Sequence, residues 1–287
     1  MRFATVEYQG KTFVGAIDKA GEKITPVSVG DINDLFRGQR GEPKGQAIAL
    51  SSVKLKAPVP LPLRNIMCVG KNYHEHAKEF SASGFDSSST GAADAIPTAP
   101  IIFTKVPQSV IGPDAPIRYP TGVSEQLDYE AELAVIVGTG GRGITKADAL
   151  KHVWGYTIVN DVTARDLQAR HKQWFLGKSM DSFAPMGPWA VTADEVDLAT
   201  AGIRCWVNGE LRQDAKIADL IFDIPTLIET LSAGITLLPG DIIATGTPSG
   251  VALGMTPQLW LKDGDVVEAE VEGIGILKNT VRDFSKR

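Results

Sequence analysis

The sequence predicts a mainly β protein with short helices, an α+β fold built largely on antiparallel pairs. Three observations carry this. Period-two alternation opens the chain, in F-A-T-V-E-Y and T-F-V-G-A-I-D, as expected for half-buried strands. Asn208-Gly209 sits between R-C-W-V and E-L-R, the strongest short-range signal for a hairpin. The final stretch, D-V-V-E-A-E-V-E-G-I-G-I-L-K-N-T-V, alternates like an antiparallel pair.

Taken in order, residues 1 to about 60 form a small N-terminal β-rich domain and linker, the linker stiffened at A-P-V-P-L-P-L. Residues 61–287 form the larger domain. It opens on strand-like R-N-I-M-C-V-G, which runs into the helix-spaced H-E-H-A-K-E. Residues 80–99 are rich in Ser, Ala and Gly, a composition that favours a mobile surface segment or lid. P-I-I-F-T-K returns to strand. In D-Y-E-A-E-L-A-V-I-V-G, Ala131, Leu133, Val135 and Val137 share one face and Glu130, Glu132, Ala134 and Ile136 the other. Both faces are apolar over the second half, so this strand is expected to be buried. T-K-A-D-A-L-K-H reads as a short helix capped by Thr145 with Asp148. H-V-W-G-Y-T-I-V-N-D is another strand, followed by a helical run from Asp161. Asp223 can cap a helix that ends near Gly234, and Pro239-Gly240 turns into the strand D-I-I-A-T-G.

Composition narrows the function classes. With 43% hydrophobic and 22% charged residues, the 287-residue chain is of ordinary globular type. A net charge of −5 with no basic run gives no electrostatic reason to bind nucleic acid. The N-terminal residues lack the apolar stretch of a secretory signal, and no apolar run is long enough to span a bilayer. Cys68 and Cys205 lie in apolar segments and read as core thiols in a reducing compartment. A cytoplasmic protein is the expectation.

The chemistry-bearing residues begin with Glu130 and Glu132. Two carboxylates at the start of a buried strand repel each other and lose hydration, so they require a counter-ion or a proton. Asp161 adds a third carboxylate at the end of the next strand, although it also fits a helix cap. Without a nearby Cys or His pattern this is an all-oxygen set, suited to Mg²⁺, Mn²⁺ or Ca²⁺ rather than Zn²⁺. Exposure to water or pairing with Lys and Arg is the plainer alternative. His76 and Glu79, three apart, meet on one face of a helical turn. A carboxylate beside an imidazole orients the ring, which suits the pair to activating water; a solvated charged helix is the competing reading. His74 and Glu75 fall on the opposite face, and His152 and His171 have no partner pattern. Arg165 and Gln168 are placed one and two turns from Asp161, where they could bind an acid or oxo group. Gly177-Lys178-Ser179 is not a phosphate loop, because position 172 holds Lys172 rather than glycine. A-T-G-T-P-S-G-V could receive a carboxylate on its backbone N–H groups and Thr247, or form only a tight turn.

Five stretches in order, G-K-N-Y-H-E-H-A-K-E (70–79), D-Y-E-A-E-L-A-V-I-V-G (128–138), N-D-V-T-A-R-D-L-Q (160–168), G-K-S (177–179) and P-G-D-I-I-A-T-G-T-P-S-G-V (239–251), resemble the fumarylacetoacetate hydrolase family in its short bacterial form. The resemblance covers the chain from about residue 64 onward. It implies the mixed β-sandwich roll of that family and a metal site of Glu130, Glu132 and Asp161 holding Mg²⁺ or Mn²⁺. It implies a His76–Glu79 dyad, a site lysine at Lys178, and Thr247 on a substrate carboxylate. Position 71 is lysine where many relatives carry arginine. The implied activity is hydrolysis of a C–C bond in a 2,4-dioxo acid of acylpyruvate type through a metal-bound enolate. Decarboxylases, isomerases and hydratases of 2-oxo sugar or dicarboxylic acids share such a site. A metal-stabilised binding protein is the non-enzyme alternative, against which the dyad argues. The family is commonly homodimeric, so a homodimer acting on a small 2-oxo acid is expected.

Overall fold

The structure, a computed structural model, describes residues 1–85 and 96–286. The chain is mainly β with few helices, as expected. Its largest sheet runs, strand to hydrogen-bonded strand, through Ile48–Ala49, Lys23–Pro26, Lys11–Ile17, Arg2–Tyr8, Ala184–Thr192, Val153–Asn160, Ala131–Val137, Ile242–Ala244, Ile66–Gly70 and Ile101–Lys105. Pairing is antiparallel except where Ile243 and Ala244 meet Met67 and Cys68, and at a short side strand, Val110–Ile111. Arg2 and Phe3 pair with Val191 and Ala190, so the N-terminal strands extend the central sheet.

A second sheet carries Glu210–Lys216, Gly202–Val207, Val266–Val271, Gly275–Arg282 and Ile117–Arg118. The Asn208-Gly209 hairpin closes its first pair, both residues left-handed with φ of 54° and 80°. The C-terminal alternation becomes the Val266–Val271 and Gly275–Arg282 pair. Asp223 caps the Ile224–Ser232 helix by accepting from Thr226 N–H at 2.9 Å.

The Ala131–Val137 strand is buried along its whole length, as its two apolar faces require. Ala131, Leu133, Val135 and Val137 pack into the core shared with the second sheet. Ala134 and Ile136 pack into another core with Phe3, Val14, Leu35 and Phe36. The acid-bearing strand is therefore gripped from both sides.

Two local expectations differ from the structure. No helix begins at Asp161. Thr163–Ala164 forms a short strand against Leu127–Asp128, and the helix spans Arg165–Arg170. The β-branched Val162-Thr163 step and the available ladder partner outweigh helical propensity there. Thr145 and Asp148 do interact, at 3.0 Å, but the turn that follows is a 3₁₀ turn over Ala149–His152. Among the described residues no helix is long and apolar enough to cross a membrane. Much of the expected lid, residues 86–95, lies outside the described residues.

Candidate active site

Glu130, Glu132 and Asp161 converge because their strands are neighbours. Ala131 pairs with Asn160, and Asp161 N–H donates to Glu130 O at 2.8 Å. Ligand atoms of the three carboxylates lie within 4.8 Å of one another, and all three residues are buried. With Asp128, four buried carboxylates face the buried cations Lys105, Arg165 and Lys178.

The pairing is uneven. Lys178 Nζ donates to Glu130 Oε2 at 2.9 Å and Asp161 Oδ2 at 2.8 Å. Lys105 Nζ donates to the other Asp161 oxygen and to Val162 O. Arg165 Nη2 lies 2.8 Å from Glu130 Oε1, and its Nε donates to Asp128 Oδ2 at 2.8 Å. Burial alone would raise Glu130, but Lys178 and Arg165 overcome it and hold the carboxyl down at about 2. Burial lowers the Lys178 ammonium less than Asp161 and Glu130 raise it. Glu132 is different. Its Oε2 accepts from Gly246 N–H at 2.9 Å, and among the described residues it makes no ion pair. Burial, then the charges of Asp161 and Glu130, push its pKa well up. An all-oxygen set with one uncompensated buried carboxylate fits a hard divalent cation.

His76 and Glu79 lie on the His74–Ala82 helix, with His76 buried and His74 and Glu75 exposed. His76 Nδ1 is 3.1 Å from Glu79 Oε2, and Glu79 Oε1 accepts from Gly250 N–H at 3.1 Å. With Nδ1 turned to a carboxylate, Nε2 is the basic atom. Gly254 leaves room for this pair: a Cβ there would lie 1.9 Å from Glu79 Oε1, so a side chain would displace the glutamate. His76, Glu130, Arg165, Gln168, Lys178 and Thr247 line one pocket.

Residues 65–282 match the family described as fumarylacetoacetate (FAA) hydrolase C-terminal. The chain belongs to the fumarylacetoacetate hydrolase family. It is 50% identical over 234 residues to an oxaloacetate tautomerase of Bacillus subtilis, covering 81% of this chain and 74% of the relative. Its structure resembles a fumarylacetoacetate hydrolase from Exiguobacterium antarcticum, with a TM-score of 0.86, 42% identity and 99% of each chain covered. It also resembles a 5-carboxymethyl-2-hydroxymuconate delta-isomerase from Mycobacterium smegmatis, with a TM-score of 0.81, 33% identity, and 99% and 100% of the two chains covered.

Within this pocket Gln168 and Thr247, expected from the sequence to bind substrate, are more constrained than their motifs suggest. Gln168 Oε1 accepts from Arg165 Nη1 at 3.1 Å, which leaves its amide nitrogen as the donor edge for a ligand. Thr247 Oγ1 donates to Ala131 O at 3.0 Å and accepts from Gln213 Nε2 at 2.7 Å. Binding a carboxylate through that hydroxyl would require exchanging its bond to Ala131.

Sequence reasoning missed Lys105, Asp128 and Asn72. Lys105 ends an apolar strand and has no exposed surface, an unusual setting for lysine that could have marked it. Asp128 falls on the same alternation as Glu130 and Glu132. It accepts from the backbone N–H groups of Tyr129, Ala252 and Leu253 as well as from Arg165. Asn72 bonds Phe222 and Thr245 across the fold, and its motif carries no sign of those partners.

Proposed function

We propose that this chain moves protons at the enolate of a 2-oxo dicarboxylic acid, as a tautomerase of the oxaloacetate type. The observation that carries the reading is a buried ammonium, Lys178, and a carboxylate-oriented imidazole, His76, lining one pocket beside the acidic cluster. Tautomerisation needs such a donor and such a base. His76 Nε2 takes the proton from the carbon beside the 2-oxo group, and Lys178 stabilises the negative charge that develops on oxygen. Reversal returns the proton to carbon. Glu130, Glu132 and Asp161 would hold Mg²⁺ or Mn²⁺, which when bound supplies Lewis acidity to the 2-oxo and carboxylate oxygens. The name of the Bacillus subtilis relative supports this substrate class.

Cleavage of an acylpyruvate is the second reading, favoured by the His76–Glu79 pair, which is equally suited to deprotonating water. The hydroxide would attack the distal carbonyl, the C–C bond would break, and the departing enolate would be stabilised by Lys178 and then protonated. Assays of oxaloacetate enol decay, oxaloacetate decarboxylation and acylpyruvate cleavage on one preparation separate the two. His76→Ala should lower tautomerisation, and any C–C hydrolysis, by about 10²–10⁴-fold. Decarboxylation needs no base and should fall much less. Equal loss of all activities would assign His76 to positioning. A wild type that cleaves acylpyruvates and leaves the tautomers alone would overturn the first reading.

A cytoplasmic homodimer completes the proposal, supported by family membership and two buried free cysteines. Light scattering at micromolar concentration should return about twice 30.7 kDa; a mass near 30.7 kDa refutes the dimer.

A further inference from the structure

We infer that Tyr129 is a positioning residue for the His76–Glu79 pair, acting through a loop that the acid-bearing segment holds against Glu79. The inference deepens the tautomerase reading above, and its kinetic test rests on that reading.

The imidazole is aimed by Glu79, and Glu79 is aimed in turn by a backbone group. Glu79 Oε1 accepts from Gly250 N–H at 3.1 Å, which leaves Oε2 to meet His76 Nδ1, also at 3.1 Å. A carboxylate without that anchor could rotate, and the ring with it, so that Nε2 would lose its aim. The position of Gly250 therefore sets the position of the base.

Gly250 belongs to a loop, residues 247–253, that is fastened to residues 128–131 along its length. At one end, Ala131 N–H donates to Gln213 Oε1 at 3.0 Å, and Gln213 Nε2 donates to Thr247 Oγ1 and Pro248 O, each at 2.7 Å. In the middle, the Tyr129 hydroxyl donates to Gly250 O at 2.8 Å. At the other end, the N–H groups of Ala252 and Leu253 donate to Asp128 at 2.8 and 3.1 Å. Gly250 is also pressed against the Glu210–Lys216 strand. Its φ is +102°, and a Cβ there would lie 1.9 Å from Arg212 O. Glu130, between these grips, lines the pocket. One short segment thus carries a carboxylate of the acidic cluster and fixes the loop that orients the base. Tyr129 is the grip on Gly250 itself. Its side chain is buried in the core, outside the residues that line the pocket. Removing its hydroxyl would loosen the loop and leave every pocket group in place.

Tyr129→Phe keeps the ring and removes only that hydroxyl. In the Mg²⁺-loaded enzyme kcat for oxaloacetate tautomerisation should fall about 10-fold, less than the ~10²-fold that a misplacement of about 1 Å can cost. KM and Mg²⁺ affinity should not change. In a Glu79→Ala background the loop has no carboxylate to hold, so adding Tyr129→Phe should cost nothing further. If Tyr129→Phe folds poorly, Gly254→Ala tests the same loop. Its methyl group would push Glu79 away from Gly250, lowering kcat in wild type and not in Glu79→Ala. An equal loss in both backgrounds, or Mg²⁺ affinity lost along with kcat, overturns the inference. Nitrogen-15 spectra, at a pH where the ring is neutral, read the imidazole directly. Wild-type His76, assigned by its disappearance in His76→Ala, should carry its proton on Nδ1, and Tyr129→Phe should mix the two tautomers. An unchanged tautomer in the variant also overturns the inference. The spectra need no substrate, so the two readings fail separately. Mixed tautomers in a protein that does not tautomerise oxaloacetate sustain the role of Tyr129 and reject the reaction. Tautomerisation with an unchanged imidazole in the variant does the reverse.

Discussion

Replacing Lys178 with methionine is expected to lower kcat for the 2-oxo acid by about 10²–10³-fold, the usual cost of removing one preorganised charge stabiliser. The same change should destabilise the metal-free protein by about 3–5 kcal/mol, because it strips a partner from a buried ion network. Lys178 Nζ bridges Glu130 and Asp161, so its loss leaves two buried carboxylates sharing less positive charge. Affinity for a divalent cation should hold or rise, since the ammonium occupies oxygens that the cation would use. Thermal melts with and without Mg²⁺, together with kinetics, check all three. An undiminished kcat, or metal affinity lost along with activity, would rule Lys178 out as the group that stabilises the enolate charge.

Glu132→Gln should behave in the opposite sense. Burial and the charges of Asp161 and Glu130 raise the Glu132 pKa in the folded state. For an acid shifted upward, ionisation opposes folding. Stability is full below the unfolded value and falls as pH climbs through the folded one. Glutamine stays neutral and can still accept from Gly246 N–H. The metal-free variant should therefore melt above metal-free wild type at neutral pH, with the gap closing in acid below the ordinary glutamate range. Wild type should gain about 2.7 kcal/mol from a cation at 100 times its dissociation constant, and the variant almost nothing. Turnover should be lost. A variant that melts lower than wild type without metal, yet still responds to Mg²⁺, would show that Glu132 is not the uncompensated ligand.

These two residues also mark where the sequence was legible. The acids of the cluster stand at the ends of apolar strands, and period-two alternation is enough to bury them. Helical spacing put His76 and Glu79 on one face, and the family resemblance favoured a dyad there over a solvated charged helix. What stayed hidden depends on distance along the chain. Lys105 reaches Asp161 across 56 positions, Asp128 reaches Arg165 across 37, and Asn72 meets Phe222 across 150. No local pattern encodes a partner so remote. The helix read from Asp161 failed for a related reason. A short ladder between Thr163–Ala164 and Leu127–Asp128 supplies bonds that only the folded chain can offer. The five ordered stretches recovered the family because each one meets the others at the site.

The strand gripped by two cores has a consequence for how the catalyst is divided. Glu130 and Glu132 sit at the mouth of an element packed into two cores, so slow exchange of its amides with deuterium is expected. His76 is carried instead on a nine-residue helix, His74–Ala82, whose outer residues His74, Glu75 and Lys78 are exposed. Exchange should accordingly be slowest at Ala131–Val137 and much faster across the helix. Exchange in that order would make the acidic cluster the fixed reference frame of the proposed reaction and the His76 helix the part that adjusts to a new substrate shape.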